Sequence, residues 1–205
     1  GLGDVYKRQA MAHCKAVRVD HVLGLFRQYW VPAGRSAREG AYIRYPYDEV
    51  LRLLATESQR SRTIVVGEDL GTAEEFVRPT LASRKVLGYR VALFEPGEPE
   101  HLPYECLATL STHDLPTLAG LLSGTDLAEL RQLGVAPSDA DYQSMVDRLV
   151  RLIGYQPDNN PAAWQEAARQ AHVRLANSPS AIMCASIEDI LGLPIRCLLY
   201  TSDAA

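Results

Sequence analysis

In the stretch Thr63-Ile64-Val65-Val66-Gly67-Glu68-Asp69-Leu70-Gly71-Thr72, an apolar run rich in β-branched residues breaks at Gly67 into two carboxylates. The run is too short for a helix and reads as a buried strand of a parallel sheet. Thr72 and Glu75 stand at the spacing of a capping box, so the sequence predicts a helix starting a few residues beyond the strand. Strand, acidic turn and helix in this order is how the βα loops of a barrel carry their catalytic side chains, because the rigid strand end aims them into a shared pocket. A lone Glu-Asp after a strand is more often a helix cap or a surface ion-pair partner. Repetition elsewhere in the chain favours the functional reading.

The pattern does repeat. Ala16-Val17-Arg18-Val19-Asp20 alternates and ends on Asp20-His21, and Tyr89-Arg90-Val91-Ala92-Leu93-Phe94-Glu95 is a short strand ending on a carboxylate. Leu107-Ala108-Thr109-Leu110-Ser111 opens into Thr112-His113-Asp114, and residues 181–186 form a last strand ending at Ile187-Glu188-Asp189. Helical patterns lie between. Val50, Leu51 and Leu54 recur at helical spacing from Tyr47, and Phe76, Val77 and Leu81 give the inward face of the helix after Thr72. Helices are predicted over residues 126–133, closed by Gly134, over 138–153, closed by Gly154, and over 161–176. In the middle one, Tyr142, Met145, Val146, Leu149 and Leu152 form a stripe that reads as core. Residues 24–40 show no period and read as a long loop above the strand ends.

Strands alternating with helices predict an α/β fold with a parallel sheet, and acids at several successive strand ends predict a closed (β/α)8 TIM barrel over an open sheet. Five strands are visible, so the expectation is a partial barrel whose first strands are missing. Residues 1–9 and 196–205 fit neither period nor stop signal and read as non-native tails, which leaves residues 10–195 for the fold.

With 47% hydrophobic and 22% charged residues, the 205-residue chain has the balance of a soluble globular protein. A net charge of −4 without a Lys/Arg cluster argues against nucleic acid or an anionic membrane as partner. Cys14, Cys106, Cys184 and Cys197 are widely spaced without a CxxC pair, which points to no zinc site, no disulfide framework and a reducing cytoplasm. No apolar run approaches the roughly 20 residues that span a bilayer.

Three constellations stand together: Arg18-Val19-Asp20-His21, Gly67-Glu68-Asp69 and Thr112-His113-Asp114. An Asp to attack, a Glu to carry a proton and a second Asp to stabilise positive charge are what a retaining glycosidic displacement requires. Arg18 lies two residues before Asp20 on the same side of the strand, where its guanidinium can orient the carboxylate. The competing readings are a plain Arg18–Asp20 salt bridge and a satisfied core histidine at position 113.

Residues 18–34, Arg-Val-Asp-His-Val-Leu-Gly-Leu-Phe-Arg-Gln-Tyr-Trp-Val-Pro-Ala-Gly, together with Val65 to Thr72 and Ser111-Thr-His-Asp-Leu-Pro-Thr117, resemble the 4-α-glucanotransferases, the amylomaltase or disproportionating-enzyme family. The resemblance covers about residues 10 to 195. It implies a (β/α)8 barrel with inserted subdomains, of which this chain holds roughly strands 4 to 8 with their helices, and it implies no metal and no organic cofactor. By position, Asp20 resembles the nucleophile after the fourth strand, Glu68 the general acid/base after the fifth and Asp114 the transition-state stabiliser after the seventh. Arg18, His21 and His113 resemble supporting and substrate-binding residues, and Phe94 falls where the family has an aromatic facing acceptor sugars. The implied reaction moves α-1,4-glucan segments between maltooligosaccharides, with glucose also an acceptor.

Two other readings compete. A metal-dependent barrel hydrolase would use Asp20, His21, His113 and Asp114 as ligands. A truncated fragment would be inert or would only bind glucan, because the donor-side strands are absent.

Overall fold

The computed structural model describes residues 2–198. The chain divides into two compact units, Gly1–Tyr89 with Glu105–Leu107 and Arg90–Tyr104 with Ala108–Ala205. The mixed α/β character expected from the alternating pattern is present throughout.

The first unit opens with helix α1 (Leu2–Ala12) and strand β1 (Ala16–Val19). The segment expected to be a loop over residues 24–40 is instead largely ordered. A 3-10 turn at Val22–Leu25 leads into β2 (Arg27–Trp30), a second turn covers Ala37–Glu39, and β3 (Ala41–Arg44) returns antiparallel to β2 with Tyr29 opposite Tyr42. Most residues of both strands are exposed, so neither has a hydrophobic face and no period of two shows in the sequence. Helix α2 (Tyr47–Ser61) follows, burying Leu51 and Leu54, and then β4 (Ile64–Gly67).

β4 pairs in parallel with β1, Val19 standing opposite Gly67. Met11, Val22, Phe26, Leu51, Leu54, Val65, Val77, Leu81 and Val86 close the core around this pair. Each of the larger aliphatic side chains contributes about 1.5–3 kcal/mol by leaving water.

The next helix, α3 (Val77–Ser83), starts later than the Thr72–Glu75 capping box predicts, and its N-cap is Phe76, without a side-chain bond. Distant side chains hold residues 73–76 out of the helix. Glu74 pairs with Arg27 at 3.1 Å and Arg44 at 2.9 Å, and the Phe76 ring packs on Phe26 and Tyr47. Beyond α3, Leu87 makes a parallel bridge to Val66 and β5 (Gly88–Val91) begins.

The remaining strands are β6 (Cys106–Thr109) and, after the helices below, β7 (Ile182–Cys184), and the sheet order is β5-β6-β7. β5 ends at Val91, before the predicted Glu95, because the chain turns there: the N–H groups of Phe94 and Glu95 both donate to the Val91 carbonyl.

In the second unit the chain forms α4 (Leu118–Ser123), α5 (Thr125–Gln132), α6 (Asp139–Ile153), α7 (Pro161–Ala176) and α8 (Ile187–Leu191). The side chains of Ser138 and Asn160 cap α6 and α7 as their types predict, and Pro161 occupies the first turn of α7. α7 buries Ala167, Ala168, Ala171 and Leu175, a face of small side chains that lets α4 and α6 approach closely. The α6 stripe buries Tyr142, Leu149 and Leu152 as expected, and Arg148 with them.

Of the expected tail over residues 1–9, residues 2–9 lie within α1, where Arg8 pairs with Glu57 at 2.9 Å, and residue 1 lies outside the described residues. Of the expected tail over 196–205, residues 199–205 lie outside the described residues. Among the described residues no helix is long and apolar enough to cross a membrane.

Candidate active site

β1 and β4 end side by side, so the residues that follow them, Asp20 and Glu68, leave the sheet together. Three hydrogen bonds interlock the two ends. Glu68 N–H donates to the Val19 carbonyl, and Val22 N–H donates to the Glu68 carbonyl, both at 2.9 Å. The third comes from His21, whose N–H donates to Glu68 Oε2 at 2.9 Å. Glu68 Oε1 accepts the Leu70 N–H at 2.7 Å. Glu68 is 8% exposed.

The turn that permits this is unusual. His21 lies in the left-handed region, φ 44° and ψ 55°, which non-glycine residues rarely adopt and which recurs at functional sites. Gly67 makes room for the return of the chain, since a Cβ there would come 3.0 Å from Val22 Cγ1.

Asp20 projects outward, its side chain 75% exposed, and Arg18 Nη1 meets Oδ1 at 2.6 Å. The Arg18 guanidinium also lies over the Tyr89 ring, 5.0 Å from its centroid. An ion pair this exposed adds little stability. Its effect is on geometry: Tyr89 braces Arg18, and Arg18 orients the Asp20 carboxylate.

Asp69 has a different task from its neighbour. It is 1% exposed, accepts the Tyr89 N–H at 2.9 Å and pairs with Arg78 Nε at 3.0 Å. It ties the end of β4 to β5 and α3, whereas Glu68 faces the loop after β1. In the sequence the two carboxylates form one motif, and nothing local divides their labour.

The second unit carries Phe94, His113 and Asp114. The Asp114 carboxylate accepts the Thr112 hydroxyl, and the Leu115 N–H closes the turn on the Thr112 carbonyl at 3.2 Å. The 112–118 loop is then held from the segment after β7. Asp189 Oδ1 accepts the Leu118 N–H at 2.7 Å, Thr117 Oγ1 donates to the Leu193 carbonyl at 2.7 Å, and Arg196 Nη1 donates to the Asp114 carbonyl at 2.5 Å.

Arg196 itself pairs with the buried Asp126 at 2.5 Å. Asp189 and Arg196 are supporting groups that sequence reasoning missed. Asp189 was visible only as one more acid at a strand end, and nothing local shows that it reaches position 118. A cavity of about 350 Å³ borders Asp114, Asp126, Tyr142 and Arg196. Burial and then the charge of Asp126 push the Tyr142 hydroxyl up to about 12, so it stays neutral as it donates to the Gly120 and Leu121 carbonyls. His113 is exposed, and Phe94 is half-exposed in the turn after β5.

The structure therefore brings Arg18, Asp20, His21 and Glu68 together in the first unit, while Phe94, His113 and Asp114 belong to the second. Among the described residues no group of three His, Cys, Asp or Glu side chains is arranged to hold a metal ion.

A sequence profile described as 4-alpha-glucanotransferase matches residues 6–197. A 4-alpha-glucanotransferase of Mycobacterium bovis is 36% identical over 89% of this chain and 28% of its own length. That of Haemophilus influenzae is 33% identical over 90% of this chain and 29% of its own. Among solved structures, amylomaltase from Corynebacterium glutamicum superposes with a TM-score of 0.79 at 30% identity, covering 90% of this chain and 30% of that one. The chain thus spans under a third of the length of each of these three relatives.

Proposed function

The chain belongs to the 4-alpha-glucanotransferase family, and from that premise we propose that it is the catalytic portion of an enzyme that moves α-1,4-glucan segments between maltooligosaccharides by a retaining double displacement. Asp20 attacks the anomeric carbon of the donor, the glycosidic C–O bond breaks, and its electron pair leaves on the oxygen that takes a proton from Glu68. The 4-hydroxyl of an acceptor, glucose or a maltooligosaccharide, then attacks the glycosyl ester, gives its proton to Glu68 and releases Asp20. Asp114 stabilises the positive charge that develops at the anomeric centre, and Arg18, His21, His113 and Phe94 bind and orient the sugars.

The observation that supports this reading best is the interlocked end of β1 and β4. Asp20 is exposed and oriented by Arg18, while Glu68 is buried and held through both oxygens by loop amides. One carboxylate is thus free to meet a substrate, and the other is shielded. Each Glu68 oxygen accepts a single amide, so a lone-pair position remains for the proton that goes to the leaving oxygen. None of these roles calls for a metal or a cofactor.

The same reading places the chain as roughly strands 4 to 8 of a (β/α)8 barrel, with residues 10–195 as the catalytic part. It acts in the cytoplasm on glucans, with neither nucleic acid nor membrane as partner. A second reading, a fragment that by itself is inert or only binds glucan, is favoured by the chain's share of its relatives' length, 28% for the Mycobacterium bovis protein.

The test is a glycosyl trap in a full-length enzyme carrying this sequence. An α-glucosyl fluoride needs no proton for its leaving group, so Glu68→Gln is still glycosylated and accumulates an adduct on Asp20 while failing to turn over maltotriose. Mass spectrometry of the quenched protein reads the adduct, and its mapping to any other residue overturns the assignment.

A further inference from the structure

The most exposed aromatic cluster of the first unit is absorbed neither by the core nor by the catalytic roles above. Tyr29, Trp30 and Tyr42, on the ribbon of β2 and β3, are 46%, 57% and 58% exposed. Exposed aromatic area this large normally marks a surface that meets something. The rings are also fixed in place. Trp30 Nε1–H donates to the Tyr45 hydroxyl at 2.9 Å, which donates to Gln28 Oε1 at 3.0 Å. Tyr29 packs edge-on against Tyr42 at 5.1 Å between centroids and donates its hydroxyl to the Ala37 carbonyl at 2.6 Å. Arg27 lies over the Tyr42 ring at 4.3 Å and pairs with Glu74. Gly40 lets the ribbon close, because a Cβ there would come 2.6 Å from the Tyr29 ring.

A cavity of about 360 Å³ adjoins this ribbon and reaches the residue after Asp20, being lined by His21, Gln28, Tyr29, Trp30 and Tyr42 among others. Its chemistry is selective. Flat aromatic faces suit the apolar C–H faces of a pyranose ring, while the Gln28 amide, whose oxygen is taken by Tyr45, keeps its N–H donors for hydroxyl groups. Because internal hydrogen bonds already hold the rings, little side-chain entropy is lost on binding.

We propose that the ribbon of β2 and β3 is a glucan subsite, in which Trp30 and Tyr42 stack against the rings of an α-1,4-linked chain and Gln28 donates to its hydroxyls. The proposal rests on the transferase reading and extends it: His21 belongs both to this cavity and to the turn that carries Asp20, so a chain seated on the ribbon continues toward the nucleophile. Trp30 and Tyr42 bind and orient substrate and take no part in proton transfer.

The chain has two tryptophans, Trp30 and Trp164, so its two indole N–H resonances separate the ribbon from α7. In the 205-residue chain, titration with maltoheptaose is expected to shift the Trp30 indole resonance saturably and leave that of Trp164 in place, while cellohexaose of similar size shifts neither. By calorimetry Trp30→Ala and Tyr42→Ala weaken maltoheptaose binding by about tenfold, and Trp30→Phe retains most of it. Circular dichroism, and in Tyr42→Ala the dispersed Trp30 indole resonance of the same unit, report that each variant is folded. Absence of a Trp30 shift, an equal response to cellohexaose, or Trp30→Ala binding like the parent chain overturns the subsite. The two readings fail separately: a normal adduct on Asp20 without a Trp30 shift removes the subsite alone, and a Trp30 shift with an adduct elsewhere removes the transferase roles alone.

Discussion

The main-chain N–H of His21 donates to Oε2 of Glu68 at 2.9 Å across 47 residues of sequence. The bond joins the turn that presents Asp20 to the Glu68 carboxylate, so the two groups proposed to react are set by one backbone geometry. That geometry depends on His21 staying left-handed at φ 44°. A displacement of the His21 turn would move Asp20 and release Glu68 together.

The cost of this conformation gives the first prediction. Asn and Gly visit the left-handed region readily, whereas a β-branched side chain is strained there by about 1–2 kcal/mol. His21→Val is therefore expected to be less stable than His21→Asn by about that amount in urea denaturation followed through the first unit. Equal stability of the two variants would mean that the turn is not held left-handed in solution.

Arg148 provides the second. It is 5% exposed on α6 and donates Nε to the Ala92 carbonyl at 3.1 Å, Nη2 to the Gly97 carbonyl and Nη1 to Glu98 at 3.2 Å. Arg148→Met keeps the aliphatic stem but strands two carbonyls, and it is expected to cost about 2–3 kcal/mol. Glu98 retains Arg174 at 3.1 Å, which keeps the loss below that of breaking an isolated buried pair. Chemical denaturation reads the difference, and a change below about 0.5 kcal/mol, the range of surface substitutions, would contradict it.

The third concerns pH. Burial, opposed by the Leu118 N–H, the Ser186 side chain and the charge of His172, raises the Asp189 pKa above the ordinary 3.8. The folded chain then holds this proton more tightly than the unfolded chain. The contribution of Asp189 to stability therefore rises as pH falls from above the raised pKa toward 3.8, and levels off below. Asp189→Asn keeps an oxygen for the Leu118 N–H and does not titrate. Relative to Asp189→Asn, the parent chain is expected to gain stability on acidification through that window, measured by denaturation at a series of pH values. A parent chain that instead loses stability relative to the variant there would reverse the sign and show that the carboxylate is better solvated than its burial indicates.

Much of this site was legible in the residues themselves. The acidic ends of β1 and β4, the Arg18–Asp20 spacing and the spans of α6 and α7 follow from local patterns, because a buried strand, a strand-end carboxylate and a helix between its stop signals each leave a signature within a few residues. The motifs around Asp20, Glu68 and Asp114 carried the family as well. The tertiary structure alone decided the ribbon of β2 and β3, the late start of α3 at Val77, the separation of Glu68 from Asp69 and the burial of Arg148. Each of these depends on partners far along the chain: Arg27 and Arg44 on Glu74, Tyr89 and Arg78 on Asp69, Ala92 and Gly97 on Arg148. Hydrophobic period reports only which face meets a core, and an exposed ribbon or a buried arginine is held by hydrogen bonds and ion pairs that have no period to read.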